Sequence, residues 1–279
     1  EVHRTPGAYA VGSTSDWDQG RALGAALAAE CAGFGFHLDF APVLDVWSNP
    51  DNTVIGKRAF GSDWKVVSGF GAAVSNALQA AGVIPVVKHF PGHGDTVVDS
   101  HMGLPVVDKS LEDLSLQELP PFRDLISGGE TPSGRAEAVP AVMVAHILMT
   151  QLDPDLPASL SPAVVTDLLR GELGFGGVVF TDDLTMGAIT QNYGLGEAAV
   201  LAVEAGCDML LVCHGRDSVD AARSALLEAA ASGRISQARL DESVRRILSL
   251  KLEYGVSGEP VSAPDLNALN ALVDAVAAQ

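Results

Sequence analysis

Fourteen residues of this 279-residue chain, Lys88 to His101, read KHFPGHGDTVVDSH and hold six side chains that carry charge or exchange protons: Lys88, His89, His93, Asp95, Asp99 and His101. Three chemistries compete for them. In the first, His and Asp satisfy one another and tie down a long connection, as single pairs commonly do. In the second, His89 and His93 share a metal that His101, Asp95 and Asp99 help to ligate. That i, i+4 spacing needs a helix, which Pro91, Gly92 and Gly94 oppose. In the third, Asp99 orients or polarises His101 across Ser100, and the imidazole delivers a proton. The third chemistry requires a nucleophile elsewhere.

Asp182 could supply it. It follows Gly177-Val178-Val179-Phe180, an apolar strand, so its carboxylate should project from the strand's end; the same position also suits the N-cap of the following turn. The central loop likewise follows an apolar β-branched run, Val83 to Val87, which suits a strand buried on both faces. Other strands are read at Phe36 to Val46, Val142 to His146 and Asp208 to Val212. Helices are read between them: Trp17 to Ala32 capped by Ser15, Ser62 to Ala81, Leu111 to Ile126 interrupted at Pro120 and Pro121, a helix opened by Ser161 and Pro162, Ala198 to Ala205, Asp217 to Ala231, and the amphipathic Ser236 to Tyr254. Gly128 to Pro140 reads as a mobile surface excursion. Five strands alternating with helices predict a parallel α/β sheet with right-handed crossovers. In a barrel, Asp45, Lys88, His89, His146, Asp182 and His214 would then share the carboxyl-end face where such folds place their chemistry. A doubly wound open sheet would give a similar string.

Composition narrows the function classes. With 47% hydrophobic residues the chain can bury one large core, so residues 1–279 are read as a single domain. A formal charge of -18, from 17 basic and 35 acidic side chains, disfavours nucleic acid and anionic membranes as partners, and no protein partner is implied. No apolar run is long enough to span a membrane. Cys31, Cys207 and Cys213 form no paired framework and lie in apolar contexts, which points to a reducing compartment. Gly33 and Gly35 stand at a helix exit, not in a phosphate loop, so no cofactor is expected.

The motif KHFPGHGDTVVDSH resembles the signature of glycoside hydrolase family 3 in its bacterial β-N-acetylglucosaminidase (β-hexosaminidase) branch. Further matches lie at Leu38 to Val46 (LDFAPVLDV), Val54 to Asp63 (VIGKRAFGSD), Val142 to Ile147 (VMVAHI), Val178 to Met186 (VVFTDDLTM) and Ala205 to Val212 (AGCDMLLV), so the resemblance covers most of the chain. It implies a (β/α)8 barrel of the TIM type. The opening Glu1-Val2-His3-Arg4 fits only the tail of an early family segment, so the chain is expected to lack the first one or two strand–helix units.

For function, the resemblance implies a retaining exo-β-N-acetylglucosaminidase acting on peptidoglycan-derived muropeptides or related glycosides, in the cytoplasm. Asp182 corresponds to the nucleophile, Asp183 to a supporting residue, and His101 assisted by Asp99 to the acid/base. Arg58, Lys88, His89 and Arg4 fall on sugar-binding positions. The competing readings are a phosphorylase of the same family, a metal-dependent hydrolase using His89, His93 and His101, and a non-catalytic sugar-binding protein.

Overall fold

A computed structural model describes residues 1–96, 99–100 and 103–276. Five strands form its main sheet: β1 (Leu38–Asp39), β2 (Ile84–Phe90), β3 (Ala141–Val144), β4 (Val178–Asp183) and β5 (Met209–Leu211), all parallel and hydrogen-bonded in that order. The helices of seven or more residues are α1 (Trp17–Gly33), α2 (Trp64–Ala80), α3 (Leu111–Gln117), α4 (Pro120–Ser127), α5 (Ala163–Glu172, wound in π fashion), α6 (Leu195–Ala205), α7 (Arg216–Ala231), α8 (Gln237–Glu253) and α9 (Leu266–Ala275).

Strand order that follows chain order without reversal is the topology of a barrel arc, and it disposes of the doubly wound alternative. The closed eight-stranded barrel is not formed by the described residues. They supply five strands to the main sheet, whose β1 and β5 are left as edges, so the sheet is half of a barrel.

Alternation along the strands assigns the two faces. Val87, Val142, Val144 and Val179 point to the helices and join the larger core with Leu23, Val67, Phe70, Leu168 and Leu169. Ile84, Val86, Ala141, Met143, Val178 and Phe180 point the other way and pack with Leu250 of α8, with Ile247, Tyr254 and Val256 at their margin. That second cluster closes the amino-terminal end of the inner face. The two faces are cross-braced by Asp208, whose side chain is fully buried just before β5. It accepts from Arg170 Nη2 at 2.6 Å, Ser243 Oγ at 2.6 Å, Arg246 Nη1 at 3.2 Å and the Val179 N–H at 3.0 Å, linking β4, α5 and α8.

Several boundaries differ from expectation. Asp16 and Asp63, not Ser15 and Ser62, cap α1 and α2, because each carboxylate reaches the N–H two residues on, of Asp18 and Lys65, at 2.9 Å. The strand expected over Phe36 to Val46 contracts to Leu38–Asp39, since Pro42 has no N–H to add to a ladder. The interruption expected at Pro120 and Pro121 is, by contrast, found: Pro120 makes a fresh start, and α3 and α4 are separate helices. The Gly128 to Pro140 segment is a small antiparallel hairpin fastened to α2, not an excursion. Ser133 Oγ donates to Gly69 O at 2.8 Å, Asn76 Nδ2 to Arg135 O at 2.9 Å, and Glu137 N to Asn76 Oδ1 at 2.8 Å.

α1 and α2 approach closely because Gly24 faces α2, where a Cβ would meet Ala77 Cβ at 2.7 Å. On α2, Val67, Phe70, Val74 and Leu78 form the buried stripe; Phe70 stacks on Phe60 at 5.5 Å and lies 4.7 Å from Trp17 between ring centroids. Phe70→Ala should lower the unfolding free energy by about 3–5 kcal/mol in urea titration without altering the m-value. A loss under about 1 kcal/mol would show that this contact is not part of the folding core.

Candidate active site

Continuing the inner-face alternation past the apolar layer brings Lys88 on β2, Asp182 on β4 and Cys213 beyond β5 to one cavity of about 220 Å³, floored by Met143 and Leu211 and walled by Phe40, Val54 and Arg58. The register of β2 shifts between Val87 and Phe90, and that of β4 with β5 between Phe180 and Asp183. Such irregularities re-aim side chains, and here consecutive residues, Lys88 with His89 and Asp182 with Asp183, both reach the cavity. Drug-sized pockets run ~300–1,000 Å³, so this one suits a single small polar ring.

The cavity's charges are ordered by burial. Burial works to raise the Asp182 carboxyl, but His89, His146, the Asp183 N–H at 2.8 Å and Lys88 together hold it below the usual carboxylate range. It is therefore an anion at neutral pH. Lys88 is lowered from the ordinary lysine value, first by burial and then by Arg58, against the opposing pull of Asp182, Asp39 and Asp45.

Behind the cavity lies Asp45, fully buried, with Oδ2 2.7 Å from His89 Nδ1 and Oδ1 accepting the backbone N–H of His93 at 2.7 Å and of His89 at 3.3 Å. Burial would raise its carboxyl; His89 and His93 reverse that and leave it below the usual range. His146 is also buried, beneath Asp183: its Nε2 lies 3.0 Å from Asp183 O, so it donates there, and Nδ1 accepts from Ser159 Oγ at 2.7 Å. On the outer rim Asp183 accepts from Thr185 Oγ1 at 2.6 Å and the Cys213 N–H at 3.0 Å, and His214 Nδ1 stands 2.9 Å from it.

The loop after β2 is docked on the loop after β1. Gly94 is required there, since a Cβ would stand 1.7 Å from Val46 O. Asn52 Nδ2 donates to His93 O at 2.7 Å and to Thr96 Oγ1 at 3.2 Å, and Ser48 Oγ donates to Asp95 Oδ1 at 2.9 Å. Lys109 bridges Asp95 Oδ2 at 2.9 Å and Glu118 Oε1 at 2.6 Å, fastening the segment beyond the loop to its start. His93 spans the loop: its Nδ1 contacts Thr96 Oγ1 at 2.8 Å and its Nε2 contacts Ser100 Oγ at 3.1 Å. Thr96 Oγ1 gives its own proton to His93 O at 3.1 Å, so it accepts from Nδ1–H, and Nε2 accepts from Ser100. Ser100 O in turn accepts the Ala188 N–H at 2.9 Å, tying the loop to the segment after β4.

Of the residues singled out from the sequence, Asp182, Arg58, Lys88 and His89 are brought together around the cavity. Asp99 is half-buried beside Ser100, its carbonyl accepting the Gly103 N–H at 3.0 Å. His101 lies outside the described residues. Arg4 is exposed and does not line the cavity; its neighbours Thr5 to Ala8 border an adjoining cleft that shares Arg58. Among the described residues no three His, Cys, Asp or Glu are grouped to hold a metal ion, and His93 is committed to Thr96 and Ser100. Sequence reasoning missed the work done by Asp45, His93 and His146. Asp45 and His146 were visible at strand ends and His93 in the loop after β2, but the bonds each of them makes are set by the folded chain and by no local pattern.

Burial pushes the His93 and His146 imidazoles below the ordinary histidine value. Unfolded, each titrates near ~6.5, so below that pH the unfolded chain binds protons that the folded chain refuses, and stability falls by about 1.4 kcal/mol per pH unit for each such histidine. The loss should begin below pH ~6.5 and continue until the depressed folded-state values are reached. Measured between pH 7 and 5, the slope of unfolding free energy should be smaller by up to one proton in His146→Gln. An unchanged slope would show that His146 is not held neutral.

Comparison with known proteins places this geometry. Residues 1–250 match the glycosyl hydrolase family 3 N-terminal domain. A β-hexosaminidase of Stenotrophomonas maltophilia is 40% identical over 188 residues, covering 67% of this chain and 52% of its own length. The β-hexosaminidase LpqI of Mycobacterium tuberculosis is 38% identical over 252 residues, covering 88% of this chain and 62% of its own. The chain thus spans between about half and two thirds of these curated relatives. The solved family 3 β-N-acetylglucosaminidase from Paenibacillus sp. str. FPU-7 superposes with a TM-score of 0.90 at 43% identity, over 99% of this chain and 52% of that one. With the family model covering most of its length and the charged cavity lying at the carboxyl ends of its strands, the chain belongs to glycosyl hydrolase family 3.

Proposed function

We propose that this chain carries the site of a retaining exo-β-N-acetylglucosaminidase, acting on peptidoglycan-derived muropeptides or related N-acetylglucosamine glycosides. The observation that carries the reading is Asp182: a carboxylate held ionised at the end of β4, in a cavity sized for one ring and bordered by Arg58, Lys88 and His89. The names of the relatives, β-hexosaminidase and β-N-acetylglucosaminidase, support the sugar class. The open edges at β1 and β5 support reading the arc as part of a larger β/α barrel. Cys31, Cys207 and Cys213 are all free, which suits a cytoplasmic protein, though Cys213 is exposed and not the core thiol expected.

In this mechanism Asp182 attacks the anomeric carbon as the glycosidic oxygen leaves, giving a glycosyl ester on the carboxylate. His101, oriented by Asp99, protonates the departing oxygen. It then takes a proton from the water that attacks the ester, releasing the sugar and regenerating Asp182. Arg58, Lys88 and His89 bind the ring hydroxyls. An imidazole suits the proton transfers near neutral pH, since its ordinary pKa is ~6.5.

Asp182→Ala should reduce turnover of p-nitrophenyl N-acetyl-β-glucosaminide by more than about 100-fold while leaving the fold intact. A 2-fluoro sugar should label Asp182; labelling of Asp183 or Asp99 would move the nucleophile. Release of sugar 1-phosphate in phosphate buffer would convert the assignment to a phosphorylase.

His101→Ala should slow glycosides with poor leaving groups far more than activated phenols, which depart with little protonation. Asp99→Asn should show the same trend more weakly. Equal losses across leaving groups, with zinc restoring activity, would overturn the acid/base role in favour of the metal reading.

A further inference from the structure

The hydrogen bonds around His89 decide which of its ring nitrogens carries the proton. Asp45 Oδ1 already accepts two backbone N–H groups, so the carboxylate offers lone pairs only, and its Oδ2 lies 2.7 Å from His89 Nδ1. Nδ1 therefore bears hydrogen. On the opposite edge of the ring, Arg58 Nη2 stands 3.5 Å from Nε2. A guanidinium only donates, so it calls for a lone pair on Nε2. An acceptor on one side and a donor on the other specify the same neutral tautomer, and the ring they hold is 4% exposed.

We propose that Asp45 is a positioning residue that fixes His89 as its Nδ1–H tautomer, so that the cavity presents one neutral acceptor, Nε2, beside the cationic Arg58 and Lys88. Arg58 and Lys88 can only donate to a sugar hydroxyl; Nε2 can receive the proton that such a hydroxyl must itself place somewhere. Nε2 has one lone pair, so a hydroxyl seated there displaces the long 3.5 Å contact from Arg58; accepting from a cation while donating to Nε2, it is recognised in both of its hydrogen-bonding capacities, which an ether or a hydrogen at that position cannot reproduce. The ligand class is therefore a polyol ring with at least one hydroxyl at the Arg58–His89 edge. This inference rests on the reading of His89 as a sugar ligand.

The geometry also predicts what an amide would do at position 45. Asp45 Oδ1 accepts two backbone N–H groups, from His93 at 2.7 Å and His89 at 3.3 Å. In Asp45→Asn the carbonyl oxygen must keep that place, since an NH2 there would face two donors. The NH2 is then forced into the position of Oδ2, against His89 Nδ1. The imidazole answers by giving up its Nδ1 proton and taking one on Nε2, which turns the acceptor in the cavity into a donor aimed at Arg58.

The test combines NMR with a mutant cycle. In the intact chain, 15N–1H spectra of the His89 imidazole above pH ~7.5 should show Nδ1 protonated, and Asp45→Asn should show Nε2 protonated. The variant should lose about 100-fold or more in kcat/KM toward p-nitrophenyl N-acetyl-β-glucosaminide, as wrong-tautomer substitutions in other enzymes lose up to ~10⁴ in kcat. In a His89→Gln background, with no imidazole left to mis-set, Asp45→Asn should cost less than about threefold more. A wild-type ring protonated on Nε2, or a full multiplicative loss in the His89→Gln background, overturns the proposal. If the wild type fails to turn over the glycoside, the functional reading is what fails, and the spectra still decide the tautomer. Should Asp45→Asn not fold, the wild-type spectrum decides alone.

Discussion

A carboxylate with no solvent exposure persists as an anion only where donors are aimed at it, and the site end of this fold is arranged around that requirement at Asp45. Its two oxygens collect a ring nitrogen and two backbone N–H groups from a turn 44 to 48 residues further along the chain. Those bonds hold the end of β2 against the loop after β1. They also fix the stretch from His89 to His93, and with it the start of the loop whose later residues the proposed mechanism uses. Moving Asp45 would disturb Lys88, His89 and the docking of Gly94 on Val46 together.

The opposite end of the sheet solves the same problem with different chemistry. Asp208 is equally buried, but its donors are long, Arg170 and Arg246, with Ser243 and one backbone N–H. Guanidinium forks reach across layers and tolerate small shifts, which suits a brace between helices. Imidazole and backbone donors at Asp45 reach less far and fix orientation, which suits a site. Between them the inner face is apolar, from Ile84 and Val178 to Met143 and Phe180, so the cavity's charges rest on an apolar floor.

Much of this was legible in the chain. Apolar runs ending abruptly in Lys88-His89 and Asp182-Asp183 announce strands with polar carboxyl ends, and the alternation of β-branched and helical stretches announces a parallel sheet. Lys88, His89 and Asp182 arrive at the cavity because a parallel strand's end is fixed by its own periodicity, whereas Arg4 does not line it. What could not be read is anything decided by a partner. His93 looked like a metal candidate by type and spacing, and it is instead a strut between Thr96 and Ser100. Asp45 was visible as a polar strand end, but its bond to His89 depends on the lateral pairing of β1 with β2, which no local pattern encodes. The cap at Asp16 in place of Ser15 was a choice between two adjacent good caps, settled by which side chain reaches the Asp18 N–H. Gly128 to Pro140 looked free because its turn residues are visible in sequence and its anchors on α2, Asn76 and Gly69, are not.

The charge balance around Asp182 bears on why an imidazole suits the proton transfers in the proposed mechanism. Within the cavity Asp182 is offset by Lys88 and Arg58, and Lys88 is already lowered by burial and by Arg58. A second carboxylic acid poised to protonate a leaving group would have to stay neutral beside those cations, which favour its ionised form. An imidazole avoids that conflict. The same cations would discourage its protonated form, so the proposed pairing with Asp99 would have a physical purpose: a carboxylate paired with the ring would compensate the imidazolium at the moment it must carry the proton. In the proposed mechanism Asp45 holds His89 as an acceptor for the ring hydroxyls, while Asp99 would steady the imidazolium of His101 that gives up the proton, so that binding and proton transfer fall to different carboxylate–imidazole pairs.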